Sequence, residues 1–396
     1  MITRDELELL RSVEVREAIE RNIDRDPLSI ALDKRLAHAG TVATQVKYLR
    51  RARRKLPSYW AARCIVPPLA FEQSSSEECA SHKELSGDSV LDLTCGLGVD
   101  ALALSKKFGR VVTVERDEVL AEIARENFSR LGADNITVVN SSAEDFVERC
   151  GERFDWCFAD PDRRGADGSK RVLIEDCSPD MLQMIPQLLE RGITRKILIK
   201  LSPLFDVDEA FRVFGRFGAC SVEAVSLGDE CKEVLAIIDP DREPSISAAA
   251  VGKGIFKITR SELEALEVPQ LSDEEIRRAV AEAGYLIVPD VALQKARLVR
   301  RCLSGVATVV SENGFAFASE PPCGDVLGRV LAIGSVERYE PRRLHRELKG
   351  SRAEILLRDV PLTALQIRKA AGLREGGDLR LAVTSAGGEI WVIRLK

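Results

Sequence analysis

The chain has 396 residues, 45% of them apolar and 31% charged, with a formal net charge of -5. That length exceeds most single domains and predicts two or three, and the apolar fraction supports a full core. Ten cysteines without a C-x-x-C pair and only three histidines exclude the common zinc spacings, so no metal is expected. No uninterrupted apolar run reaches the roughly eighteen residues of a membrane span. The start, Met1-Ile2-Thr3-Arg4-Asp5-Glu6, lacks a secretory apolar run, so a cytoplasmic protein with reduced thiols is expected. The acidic balance means that any nucleic-acid contact needs a local basic patch.

Residues 1–85 read as a helical region, with Leu7, Leu10, Val13, Ile19 and Ile23 spaced as on a helix. Between Lys34 and Phe71 the chain carries nine Lys or Arg and no acidic residue. On a helix Lys47, Arg50, Arg51 and Arg54 share one face, while Val42, Val46 and Leu49 lie towards another. Basic charge with Tyr59 and Trp60 beside it suits phosphate contact and base stacking, and a solvated helix face is the plainer reading. Arg50, Arg51 and Arg54 are the substrate-binding candidates here. Gln73-Ser74-Ser75-Ser76-Glu77 either caps a short helix or brings Gln73 and Ser75 over a ligand.

The chain is organised around Val90-Leu91-Asp92-Leu93-Thr94-Cys95-Gly96-Leu97-Gly98-Val99-Asp100. An apolar strand runs into an acidic residue, a Gly-x-Gly turn and the start of a helix, the first turn of a doubly wound sheet. Gly96 to Ala101 also satisfies the dinucleotide pattern G-x-G-x-x-G/A, so a nicotinamide-dependent oxidoreductase is one reading. Asp92, four residues before Gly96, favours another: it would repel a pyrophosphate but tolerate the zwitterionic methionine end of S-adenosylmethionine. Glu115 ends the next strand, 17 residues after Gly98, where a carboxylate accepts hydrogen bonds from both ribose hydroxyls. After the third strand, Ser141-Ser142-Ala143-Glu144-Asp145 either flanks an adenine or caps the next helix.

Phe154 to Arg164 delivers Asp160-Pro161 at the end of a buried strand, followed by Asp162, Arg163 and Arg164. The proline restricts the residue before it, holding Asp160 in one orientation, and paired arginines suit forked phosphate contacts. Ser178-Pro179 reads as a helix start, and Lys196 to Ser202 as a fifth strand that places Lys200 at the cleft edge as a phosphate contact. Val222–Leu227 and Val234–Asp239 are close enough to form an antiparallel pair, which closes class I methyltransferase sheets. Ser245 to Ala250 reads as a small-residue linker, followed by two small α+β units over 246–327 and 328–396. The methyltransferase-type sheet itself is expected over 86–245.

Arg53 to Ser58, Glu72 to Glu77, Asp92 to Asp100, Asp160 to Arg164 and Lys200 to Pro203 together resemble the bacterial class I methyltransferases with a C-terminal THUMP-like domain. Leu344–Gly350 and Arg358–Gly377 look like that THUMP-like unit. The resemblance implies an α/β, Rossmann-like sheet after a helical region, then a ferredoxin-like and a THUMP-like unit. It also implies S-adenosylmethionine as cofactor, with Asp92, Thr94, Gly96, Gly98 and Asp100 around the methionine end. Glu115 would take the ribose, and Ala143 and Glu144 the adenine edge. Asp160 and Pro161 match the Asp/Asn-Pro-Pro-aromatic motif of amino-group methyltransferases, in which the carboxylate orients the acceptor amine. Here Asp162 and Arg163 replace the second proline and the aromatic, so Tyr59 or Trp60 would have to stack a base. The expected substrate is RNA, tRNA or rRNA, and an RNA-binding protein without turnover is the alternative.

Overall fold

The computed structural model describes residues 2–162, 177–265 and 271–396. Arg163 and Arg164 lie outside the described residues. The chain divides into two compact units, Met1–Ser221 with Leu235–Arg242, and Val222–Val234 with Glu243–Lys396. The division runs through a pair of neighbouring strands, so each unit takes part of both. No helix among the described residues is long and apolar enough to cross a membrane.

The first unit opens with short helices, of which Ala39–Lys55 is the longest. Val42, Val46, Leu49 and Ala52 recur at helical spacing on its buried side. Then come β1 (Gly87–Asp92), β2 (Phe108–Glu115), β3 (Ile136–Asn140), β4 (Trp156–Ala159) and β5 (Ile197–Leu201), followed by β6 (Cys220–Leu227) and β7 (Glu230–Ile238). Their order is β3-β2-β1-β4-β5-β7-β6, with the first five parallel. The chain winds outwards from β1 to β3 and then crosses to β4. The carboxyl ends of β1 and β4 therefore flank a topological switch point, where ligands enter such sheets. The helix expected from Ser178 starts later, at Met181, because the Asp180 carboxylate accepts the Leu182 N–H and caps it there.

In the second unit, the stretch read as a linker is β8 (Ser245–Ala250), buried along its whole length. It pairs parallel with Val222–Ser226 and antiparallel with β9 (Gly254–Thr259). Small side chains on both faces carry no period-two signal, which is why the sequence concealed this strand. The remaining strands are β10 (Tyr285–Pro289), β11 (Thr308–Val309), β12 (Ala316–Ala318), β13 (Gly328–Arg338), β14 (Arg352–Arg358), β15 (Arg374–Glu375), β16 (Leu379–Ala386) and β17 (Glu389–Leu395). They form one sheet ordered β11-β12-β10-β13-β17-β16-β14-β15. The long β13 pairs with both β10 and β17, so the two expected C-terminal α+β units share a sheet. Alternation along β17 divides its core: Trp391 and Ile393 pack with Val280, Phe315 and Phe317, while Val392 packs with Leu344, Leu348 and Ile367.

The N-terminal helices are tied to the sheet domain by buried polar contacts as well as apolar ones. Asn127, wholly buried on helix Glu118–Arg130, accepts the Ile65 N–H at 2.8 Å and donates to the Ile65 carbonyl at 2.9 Å. Asn127→Ala orphans both backbone groups and should lower unfolding free energy by about 2–5 kcal/mol, read as a fall in the urea midpoint. A midpoint equal to wild type would mean that this pair does not tie the region down.

Candidate active site

The turn after β1 is held from beneath. Gly96 and Gly98 both take positive φ, 54° and 85°, but for different reasons. A side chain at Gly96 would meet open space, whereas a Cβ at Gly98 would lie 2.4 Å from the Phe128 ring. Gly98 thus serves packing, and Gly96 leaves the backbone open to a ligand. Glu115, at the end of β2, accepts the Gly96 N–H at 2.8 Å and the Asp117 N–H at 2.9 Å. Burial raises its carboxyl above the ordinary range. Tyr59, completely buried, donates its hydroxyl to the Leu97 carbonyl at 3.0 Å. It braces the turn and is not placed to stack a base, which corrects the stacking role read for it.

Asp92 is also fully buried. Its carboxylate accepts the Thr94 N–H at 3.0 Å and the Thr113 hydroxyl at 2.6 Å. Burial, partly offset by these bonds, pushes its carboxyl up to about 7. The direct meeting with a ligand ammonium read from the sequence is therefore closed in this conformation. The side chain turns inward to satisfy two donors that the strand end leaves behind.

Thr94 carries the turn across to β4, its hydroxyl accepting the Asp160 N–H at 2.7 Å. From Asp160 a chain of charges runs back to the helix after the turn. Lys200 Nζ lies 2.5 Å from Asp160 Oδ2, 2.9 Å from Ser75 Oγ and 3.9 Å from Asp100 Oδ2. Ser75 donates to Asp100 Oδ2 at 2.9 Å, and Lys83 reaches Asp100 Oδ1 at 2.7 Å. The Lys83 side chain is 1% exposed, those of Lys200 and Asp100 12%, and that of Asp160 33%. Burial alone would raise the Asp100 carboxyl, but Lys83 and Lys200 outweigh it and hold it below the usual range. Lys200, read as a phosphate contact, instead neutralises Asp160 and bridges to Asp100. A lysine within the apolar strand Ile197-Leu198-Ile199-Lys200-Leu201 was the available signal, since a buried ammonium requires an anionic partner. Lys83 had no such signal, because it follows a short polar helix.

Other candidates stay apart from this network. Gln73 is exposed at the end of its helix, away from any hydrogen-bond partner among the described residues. Ala143 is buried in the first helical turn, Glu144 is exposed, and Ser142 caps that helix by accepting the Asp145 N–H. Arg51 pairs with Glu72 and stacks on Tyr48 and Phe71, its side chain 45% exposed. Arg50 donates to the Arg25 carbonyl, while Arg53 and Arg54 stay exposed. Trp60 is half-buried, with the Arg63 guanidinium 4.3 Å from its ring. Cys95 and Cys157 are buried, and burial pushes both thiols far up, away from nucleophilic thiolate.

A family model described as a methyltransferase domain matches residues 90–161, and one described as THUMP domain-like matches 328–396. An uncharacterized S-adenosylmethionine-dependent methyltransferase of Mycobacterium tuberculosis is 28% identical over 357 residues, covering 85% of this chain and 90% of that protein. The chain thus carries a methyltransferase domain and a C-terminal THUMP-like domain, and it is an S-adenosylmethionine-dependent methyltransferase. A candidate methyltransferase of Porphyromonas gingivalis W83 shares the fold of this methyltransferase, with a TM-score of 0.80 at 23% identity. That match covers 100% of this chain and 99% of the other. A 23S rRNA (uracil(1939)-C(5))-methyltransferase of Klebsiella pneumoniae is 34% identical over 131 residues, 29% of this chain and 30% of that enzyme. A tRNA/tmRNA (uracil-C(5))-methyltransferase of Aliivibrio salmonicida is 30% identical over 148 residues, 31% and 40% of the two chains.

The residues present fit the cofactor. Gly96 leaves open space above the backbone, and the carboxylates of Asp92, Asp100, Glu115 and Asp160 cluster about the turn. Against these four carboxyl groups stand two ammonium groups, Lys83 and Lys200, and the remaining acidic balance favours a sulfonium cation over a pyrophosphate. Asp92 also imposes a pH dependence. Its folded pKa exceeds its unfolded one, so its stabilising contribution is complete below the ordinary carboxylate range and is lost as pH rises towards about 7. Asp92→Asn should therefore gain on wild type by about 2–3 kcal/mol in unfolding free energy between pH 5 and pH 8. Parallel stability curves for the two proteins would rule out an inward, proton-binding Asp92.

Proposed function

We propose that this methyltransferase acts on structured RNA, tRNA or rRNA, and that Asp160 orients the acceptor. The carrying observation is the double hold on the end of β4: its backbone is fixed by Thr94 and its carboxylate by Lys200, beside the Gly96 turn. Bound S-adenosylmethionine supplies an electrophilic methyl group on its sulfonium. Gly96 gives its backbone close access at the methionine end, Ser75 and Asp100 border that end, and Glu115 accepts the ribose hydroxyls through its remaining lone pairs. Asp160, the most exposed carboxylate of the chain of charges, accepts a hydrogen bond from the acceptor and offsets positive charge developing on it. Lys200 keeps that carboxylate pointing one way, which favours in-line placement of the nucleophile.

RNA is favoured by the two RNA-modifying relatives and by the exposed Arg53 and Arg54, the first of them beside Trp60. The buried, high-pKa thiols of Cys95 and Cys157 argue against a cysteine-addition route at these positions. With labelled S-adenosylmethionine and total RNA, Asp160→Ala should reduce methyl incorporation about 100-fold, the scale of lost orientation. Equal incorporation by wild type and variant would remove Asp160 from the mechanism. The engagement of Asp160 by Lys200 favours one second reading, an RNA-binding protein without turnover. RNA binding with no incorporation by wild type would select it. Arg53→Glu with Arg54→Glu should weaken RNA binding and flatten its salt dependence by roughly 0.7 in log–log slope per lost phosphate contact. An unchanged slope would take this surface out of the RNA path.

A further inference from the structure

The second unit contains a cleft of about 70 Å³, built where five segments converge. Asp229 comes from the turn between β6 and β7, Lys253 from the turn between β8 and β9, and Asp290 from the end of β10. Arg329 stands near the start of β13 and Arg358 at the end of β14. The volume suits about two waters, or one group of similar bulk. Neither methyl transfer nor the basic helix of the first unit uses these residues.

The charges here are unevenly matched. Asp290 is buried and committed: it accepts the Ser226 hydroxyl and the Ala292 N–H, and lies 3.4 Å from Lys253 Nζ. Asp229 is 74% exposed and comes no closer than 3.9 Å to Arg329, a weak, solvent-screened pairing. Asp359, beside Arg358, turns its carboxylate to the Ser311 hydroxyl. The Arg358 side chain is half-buried and has no hydrogen bond or ion pair among the described residues. Burial first, and then the nearby charge of Arg329, lowers its pKa from the ordinary value. Asp229 and Asp359 act on Arg358 only through longer-range attraction, and Asp290 is taken by Lys253, so the Arg358 guanidinium stands in the cleft without a directly bonded anion.

We propose that this cleft binds a phosphate group, held by the forked donors of Arg358 with Arg329 as the second cation. Guanidinium groups arriving from separate strands suit a tetrahedral oxyanion, which offers oxygens in more than one direction, better than a planar carboxylate. The group could be a phosphodiester of bound RNA or a free phosphate, and the same chemistry serves both. The site rests on no step of methyl transfer, so its test needs no cofactor.

Calorimetric titration of the full chain with inorganic phosphate should show saturable binding that weakens at least about tenfold in Arg358→Gln, the loss of one charge-assisted contact. Arg358→Lys should lose part of that affinity, because it keeps the charge but not the fork. Arg342→Gln, on an exposed helix position, should bind as wild type. In parallel, the salt dependence of binding to a short single-stranded RNA identifies the source. A slope reduced by roughly 0.7 in Arg358→Gln and kept in Arg358→Lys assigns an RNA phosphodiester. An unchanged slope with weakened phosphate binding assigns a free phosphate. Equal phosphate affinity and equal salt slopes across wild type and both Arg358 variants would overturn the proposal, as would wild type that binds no phosphate and variants that leave the slope unchanged. Should Arg358→Gln fail to fold, Arg329→Gln, which removes the second cation of the cleft, carries the same two measurements.

Discussion

A carboxylate at the start of a helix, largely withdrawn from water, must be neutralised by something. For Asp100 that task falls to two lysines from distant parts of the chain, Lys83 after the N-terminal helices and Lys200 inside β5. Because Lys200 also holds Asp160, one run of ion pairs joins the helical region, the Gly-x-Gly turn, β4 and β5. Removing either partner of a buried pair leaves an uncompensated charge, a cost of about 3–5 kcal/mol, although the intact pair contributes little net stability against an apolar replacement. Its contribution is to geometry: the network ties four segments together and holds the end of β4 beside the turn.

The N-terminal helical region thereby becomes part of the site. Tyr59 holds the Leu97 carbonyl from one side, Ser75 joins Asp100 to Lys200, and Lys83 closes the far end. The turn itself divides its work between its glycines, one serving Phe128 and the other leaving the backbone open. Asp92 and Glu115 act in the same sense, each accepting a backbone N–H of the turn, and Asp92 also the Thr113 hydroxyl of β2. The turn is braced before any cofactor arrives, the condition under which electrostatic preorganisation acts.

The second unit shows the same dependence on convergence from distant segments. Its long β13 joins what the chain order separates, and its cleft gathers side chains between Asp229 and Arg358. Strand β8, made of small residues, packs both faces without any large side chain to announce it.

The sequence by itself determined the doubly wound order of strands, the glycines of the turn and the position of Glu115 and Asp160 at strand ends. Each of these follows from local rules: hydrophobic period, tight-turn chemistry, and the restriction that Pro161 places on its neighbour. The direction of individual charged side chains was decided by tertiary structure alone. Lys200 faces Asp160, Arg51 faces Glu72, and Asp92 faces Thr113, because a charge finds its partner through space, across 40, 21 and 21 residues of chain respectively. Periodicity can place such a residue on a face, but only the packed fold supplies the partner that a buried charge requires.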